Sequence, residues 1–168
     1  IRDTSYSICG VSYTEEGFPH TWFPFLSSKV VGIRVMDICK NDINRGLYQL
    51  AHEIIHCLCP HREINANVFE EGLATHFAAE YMDEYEKQPD WHPAETDYKY
   101  VLALKCIKKA FEIDPNIATK LVAKERNFVN ITENMILEVS PKLPRDLAKI
   151  LTTDFYDDSW IELANKIE

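Results

Sequence analysis

His52-Glu53-Ile54-Ile55-His56 sets two imidazoles four residues apart with a carboxylate between them. On an α-helix, residues i and i+4 stand one turn apart on one face, so both rings can converge on a single ion. Zn–N bonds are about 2.0–2.1 Å, a range that one helical turn can offer to both nitrogens. Glu53 flanks that face. It is poorly placed to join the histidines as a ligand, but it can reach a water at the ion. Its role would be general base, taking a proton from that water and delivering it to a leaving amine. About one shuffled chain of this composition in fifty would carry the motif, so its surroundings must decide its meaning. Those surroundings are apolar: Ile54, Ile55 and Leu58 predict a largely buried helix, where unsatisfied polar groups are costly.

A third ligand is needed, and the next helical segment offers Phe69-Glu70-Glu71-Gly72-Leu73-Ala74-Thr75-His76-Phe77. An H-E-x-x-H followed on a second helix by Glu71-Gly72-Leu73-Ala74 resembles the gluzincin metallopeptidases, the group that includes thermolysin and a family of zinc aminopeptidases. In the aminopeptidase pattern the Glu before Gly ligates zinc. The resemblance therefore implies one Zn²⁺ on His52, His56 and Glu71, with Glu53 as the catalytic base. It spans about residues 47–78. The chain departs from the pattern in two places: Glu70 stands where the aminopeptidases have Asn, and only fourteen residues separate His56 from Glu71. Helix phase sets Glu70 nearer the centre of the apolar stripe, which makes it the competing ligand. As plain surface acids in a first helical turn, both would also be favoured by the helix dipole.

Other residues bear on the same chemistry. Gly72, Ala74 and Ala78 are small enough to let their helix approach the histidine helix closely. Thr75, one turn beyond Glu71, is placed to hold a ligand imidazole. His61 is the third ligand of a metzincin reading, but it falls one residue early and Cys59 stands where that pattern needs Gly. Cys57 and Cys59 lie on the turn leaving the helix with C-x-C spacing, a weak metal signal. His92, Tyr98 and Tyr100 are candidates to stabilise an oxyanion. His20 and His76 suit structural roles.

These residues need elements to hold them. Tyr6–Tyr13 is rich in β-formers, with Gly10 as a bulge or turn. Residues 17–28, with two prolines and four aromatics, predict an irregular packed loop. Lys29–Cys39 is the clearest strand, with Val31, Ile33 and Val35 on one side; as an edge it would lay out an extended substrate. Asn44–Cys59 is helical, with Leu47, Leu50, Ala51, Ile54 and Leu58 as its apolar side and Pro60 as its stop. A second helix runs from about Asn67 to Tyr85 with Val68, Leu73, Ala74, Phe77, Ala78 and Tyr81 inward, and a third from about Thr96 to Phe111. Asp114-Pro115 reads as an N-cap and first helical position. Shorter helices are expected at 132–139, 144–152 and 158–167. Strands first and helices after make an α+β domain. A small N-terminal sheet (residues 1–43) would pack on a helical bundle (44–168) in one zincin-like unit spanning 1–168, the active-site helix being followed by the helix of the third ligand.

Composition narrows the partners. Lys and Arg total 18 against 27 Asp and Glu, a net charge of −9. The basic residues are scattered, so no phosphate-binding patch forms, which argues against nucleic acid and an anionic membrane. No apolar run reaches about 18 residues, so no transmembrane helix is expected. Asp83–Asp97 is strongly acidic, which suits a solvated face or a rim that attracts a basic substrate. Five cysteines, an odd number with no framework spacing, point to a reduced, cytoplasmic setting; a delivered effector or toxin fits the same composition. The expected activity is zinc-dependent hydrolysis of peptide bonds in a peptide or protein substrate. The alternative is a catalytically silent zincin-like domain that binds a partner or a metal, against which the intact Glu53 argues.

Overall fold

The computed structural model describes residues 5–25, 27–62, 65–88 and 97–167; His92, Asp90, Glu95 and the loop prolines Pro89 and Pro93 lie outside these. Strands β1 (Ser7–Thr14), β2 (His20–Trp22) and β3 (Val30–Met36) form one sheet in the order β1-β3-β2. The α-helices follow: α1 (Ile43–His56), α2 (Val68–Glu84), α3 (Tyr98–Ile113), α4 (Ile117–Lys124), α5 (Glu133–Val139), α6 (Arg145–Thr152) and α7 (Ile161–Ala164). Strands precede helices, and the fold is α+β. No helix among the described residues is long and apolar enough to cross a membrane. The chain groups into two compact units, residues 2–62 with 77–93, and 63–76 with 94–168.

In the first unit β3 is the central strand. It runs parallel to β1 and antiparallel to β2. This corrects the expectation that Lys29–Cys39 is an edge: both of its sides are hydrogen-bonded, so strand addition falls to β1 or β2. The short β2 lies inside the stretch expected to be irregular. Pro19 and Pro24 bracket a run too short to show alternation, and only pairing with Gly32–Arg34 reveals it. Gly10, at φ +131°, takes a conformation open chiefly to glycine, and the β1–β3 register shifts between Ile8 and Val11. Beyond and before the bulge, Ile8, Val11 and Tyr13 pair with Val31, Ile33 and Val35. Partnered residues point to one face. The β3 residues are buried there and the β1 residues are exposed.

The buried face of β3 forms a core with Cys39 and Cys57, joined by Tyr6, Phe23, Met36 and Leu50. Gln49 sets α1 against the end of β3. Its Oε1 accepts from the Met36 N–H at 2.9 Å and from the Cys39 thiol at 3.2 Å. Burial raises the pKa of that thiol. Asp42 caps α1, accepting from the Arg45 N–H at 3.0 Å. The helix is rolled from the expected phase. Tyr48, Ala51, His52 and Ile55 are buried, Leu47, Leu50 and Leu58 are only half-buried, and Ile54 is 38 % exposed. The histidine-bearing face, rather than the most apolar one, is turned inward, consistent with the orientation that the two bonds to Gln49 impose.

In the second unit the start of α2 is stitched to distant chain. Asn67 forms an antiparallel bridge with Asp154, flanked by Val68 N–H to the Thr153 carbonyl and Phe155 N–H to the Ala66 carbonyl, both 2.9 Å. The Asn67 side chain is used at both ends. Its Oδ1 accepts from the Glu70 N–H at 2.9 Å, and its Nδ2 donates to the Phe128 carbonyl at 2.7 Å. Phe69 packs edge-on against Phe128. The expected apolar side of α2 holds for Val68, Ala74 and Ala78, but Phe77 is exposed and Tyr81 half-buried, while Met82 is buried in their place. The Asp114-Pro115 cap is also corrected. Asp114 ends α3, and α4 begins at Ile117 with Asn116 in the cap position. Asp114 instead braces the turn, accepting from the Asn116 N–H at 3.1 Å and from Lys120 Nζ at 2.6 Å.

Gly72 decides how α2 meets α3. A Cβ there would lie 2.5 Å from Ile107 Cγ1 and 2.7 Å from the Ala103 carbonyl oxygen. The close approach expected towards the histidine helix is thus shown by Gly72 towards α3. Alanine favours a helix over glycine by about 1 kcal/mol, but overpacking against backbone costs about 1–3 kcal/mol and a carbonyl cannot rotate away. Gly72→Ala is therefore expected to lower stability in urea unfolding. A more stable variant would mean that α2 and α3 separate freely.

Candidate metal centre

His52 and His56 occupy the last two turns of α1, with ring centroids 5.2 Å apart and ring planes at 56°. The i, i+4 spacing has therefore brought both imidazoles to one side of the helix. Just beyond, the chain tightens: the Cys57 N–H reaches the Glu53 and Ile54 carbonyls and the Leu58 N–H reaches Ile55 at 3.0 Å. A helix C-terminus carries partial negative charge, which favours a cation near the pair. Glu53 is 3 % exposed, a buried carboxylate beside His52.

Glu70 and Glu71 stand in the first turn and a quarter of α2 and are not surface acids, at 0 % and 6 % exposure. Of the two, Glu71 joins the histidines. His52, His56 and Glu71 each offer one ligand atom, and these lie within 4.8 Å of one another; no other such group of three occurs among the described residues. Helix phase, which favoured Glu70, does not discriminate here, because residues 66–72 are buried on every side of the helix. Two imidazole nitrogens and a carboxylate oxygen are a donor set suited to Zn²⁺. Bonds of about 2.0–2.1 Å in a tetrahedron put neighbouring ligand atoms about 3.4 Å apart, a spacing that lies inside the 4.8 Å bound on the three atoms. The three residues fit the ion in type and proximity.

The remaining candidates fall elsewhere. Thr75 Oγ1 donates to the Glu71 carbonyl at 2.8 Å, a bond within its own helix that leaves the hydroxyl oxygen as an acceptor. His61 and Cys59 are not in the group, and Cys57 belongs to the core under β3. The five cysteines form no disulfide. Tyr98 donates its hydroxyl to Asn165 Oδ1 at 2.6 Å, and the Tyr100 ring packs on Phe155 at 4.8 Å. His20 approaches Glu16 at 3.6 Å, and the His76 ring lies 5.0 Å from that of Phe111. Two residues that support the site escape a search for ligands. Asn67 carries a legible signal, an N-cap residue directly before an apolar run. Gln49 carries none.

Comparison with protein-family models, with curated proteins and with solved structures finds no match.

Purified protein is expected to bind one zinc per chain, measured by plasma mass spectrometry, and to lose it on His52→Ala or His56→Ala. Partners outside the ligand set typically cost about 10–100-fold in metal affinity when removed. Glu71→Ala should exceed that range in a competition titration while Glu70→Ala stays within it. Equal losses would overturn the assignment of Glu71.

Proposed function

We propose that this chain is a zinc-dependent metallopeptidase domain of the gluzincin type, hydrolysing peptide bonds. The observation that carries the proposal is the convergence of ligand atoms from His52, His56 and Glu71 within 4.8 Å. The first two come from one motif and the third from the next helix, with fourteen residues between His56 and Glu71. These are the residues that the gluzincin resemblance implies as ligands.

Zinc held there would polarise the scissile carbonyl and lower the pKa of a water towards neutrality. The chain's own part is positional and acid–base. Gln49 and the core under β3 hold α1, and α1 presents both imidazoles with Glu53 beside them. Glu53 accepts the proton of the attacking water and passes it to the departing amine, which leaves as a neutral group. Burial of Glu53 limits bulk water around the carboxylate, so the proton is exchanged with the reacting groups.

The role of Glu53 separates the enzyme from a silent binding domain. Glu53→Gln is expected to keep the fold and the zinc, because Glu53 is outside the ligand group, while turnover falls about 10²–10⁴-fold. Mass spectrometry of peptides released from a cell lysate, wild type against Glu53→Gln, reads the loss. Wild-type cleavage should be blocked by 1,10-phenanthroline and indifferent to iodoacetamide. Undiminished cleavage by Glu53→Gln would remove the base from the mechanism. Zinc binding with no cleavage by the wild type would support the silent domain.

A further inference from the structure

We propose that Asn67 is the positioning residue that fixes Glu71 for the metal, through its side-chain bonds to the Glu70 N–H and the Phe128 carbonyl. The inference rests on the zinc reading above. Glu71 is the residue whose N–H closes the first helical bond of α2, to the Asn67 carbonyl at 3.1 Å. A ligand so close to a helix end lies where helices fray, because the first N–H groups have no partner within the helix. Asn67 removes that freedom from two directions. Its Oδ1 satisfies the Glu70 N–H, and its Nδ2 ties the same turn to the Phe128 carbonyl. The bridge to Asp154 and the bonds to Thr153 and Phe155 then hold the backbone on both sides of it. The residue is itself buried.

Only asparagine serves both ends. Aspartate is an equally good cap but has no donor, and would set a carboxylate oxygen against the Phe128 carbonyl. Serine caps but is too short to reach further. Alanine does neither. The axial position and rotation of the first turn of α2, and with them the direction of the Glu71 carboxylate, therefore depend on one side chain outside the ligand set.

The test uses Asn67→Ala and Asn67→Ser, with Thr132→Ala as control. Thr132 caps α5 by accepting from the Met135 N–H at 3.3 Å, so its loss weakens a helix start without touching α2. Zinc affinity is read by competition with a chromophoric chelator, ligand geometry by the visible spectrum of the Co²⁺ form, and stability by urea unfolding of the metal-free protein. Asn67→Ala is expected to lose about 10–100-fold in zinc affinity and to shift the Co²⁺ bands. Asn67→Ser should recover part of both, because it keeps the cap. Thr132→Ala should lose stability and leave affinity and bands unchanged. If Asn67→Ala does not fold, Asn67→Ser against Thr132→Ala decides. Unchanged affinity and bands in the Asn67 variants, or an equal loss in Thr132→Ala, would overturn the proposal while the zinc reading stands. A wild type that binds no zinc would overturn both.

Discussion

Two adjacent carboxylates inside a protein are the constraint around which this chain is arranged. Removing an ion from water costs several kcal/mol after relaxation. A helix N-terminus returns at most about 2 kcal/mol in favourable, partly buried geometry. The position of Glu70 and Glu71 at the start of α2 is thus favourable but insufficient by itself, and the surroundings must supply the remainder. For Glu71 a divalent cation shared with His52 and His56 would supply it directly. The start of α2 is also heavily tied. A carboxylate sharing an ion with two imidazoles would tolerate little backbone freedom, and the Asn67 cap, the bridge to Asp154 and the Gly72 contact with α3 each restrict the start of α2.

The histidine side of the centre is organised by a different means. β3 supplies an apolar floor, and Gln49 locks α1 to its end through a backbone N–H and a thiol. The roll of α1 agrees with the Gln49 bonds and departs from apolar periodicity: a helix placed by hydrophobicity alone would hide Ile54 and expose His52, and the reverse is observed.

That contrast marks how far the residues could be read without coordinates. Long periodic segments were legible: β3, α1, α2, α3 and the short helices near 132–139 and 144–152 fall close to their expected bounds. So was the Gly10 bulge, because glycine within a strand has few other uses. Motif spacing picked out His52 and His56, the gluzincin resemblance added Glu71 against the helix phase that favoured Glu70, and the three ligand atoms are found together. What remained hidden depends on partners distant in sequence. β2 is a strand only because Gly32–Arg34 lies alongside it, Gly72 faces α3 and not the histidine helix, and Thr75 turns to its own helix. Local pattern carries no information about which neighbour a small or polar residue will meet.

The bulged strand β1 has a consequence for behaviour in solution. Among the described residues it pairs only with β3, it carries no charged side chain and no proline, and it shows Ile8, Val11 and Tyr13 to solvent. An edge of that composition is a template for pairing with another chain. Its built-in protection is the irregularity at Gly10, which breaks the even spacing of N–H and C=O groups that a second strand would need. Long-range protection comes from the net charge of −9, which makes copies repel one another. That repulsion is screened within about 8 Å at physiological ionic strength and within about 3 Å at 1 M. The charge protection of this edge therefore weakens as salt rises or as pH falls towards the isoelectric point, leaving the irregularity at Gly10 as the protection that salt does not touch.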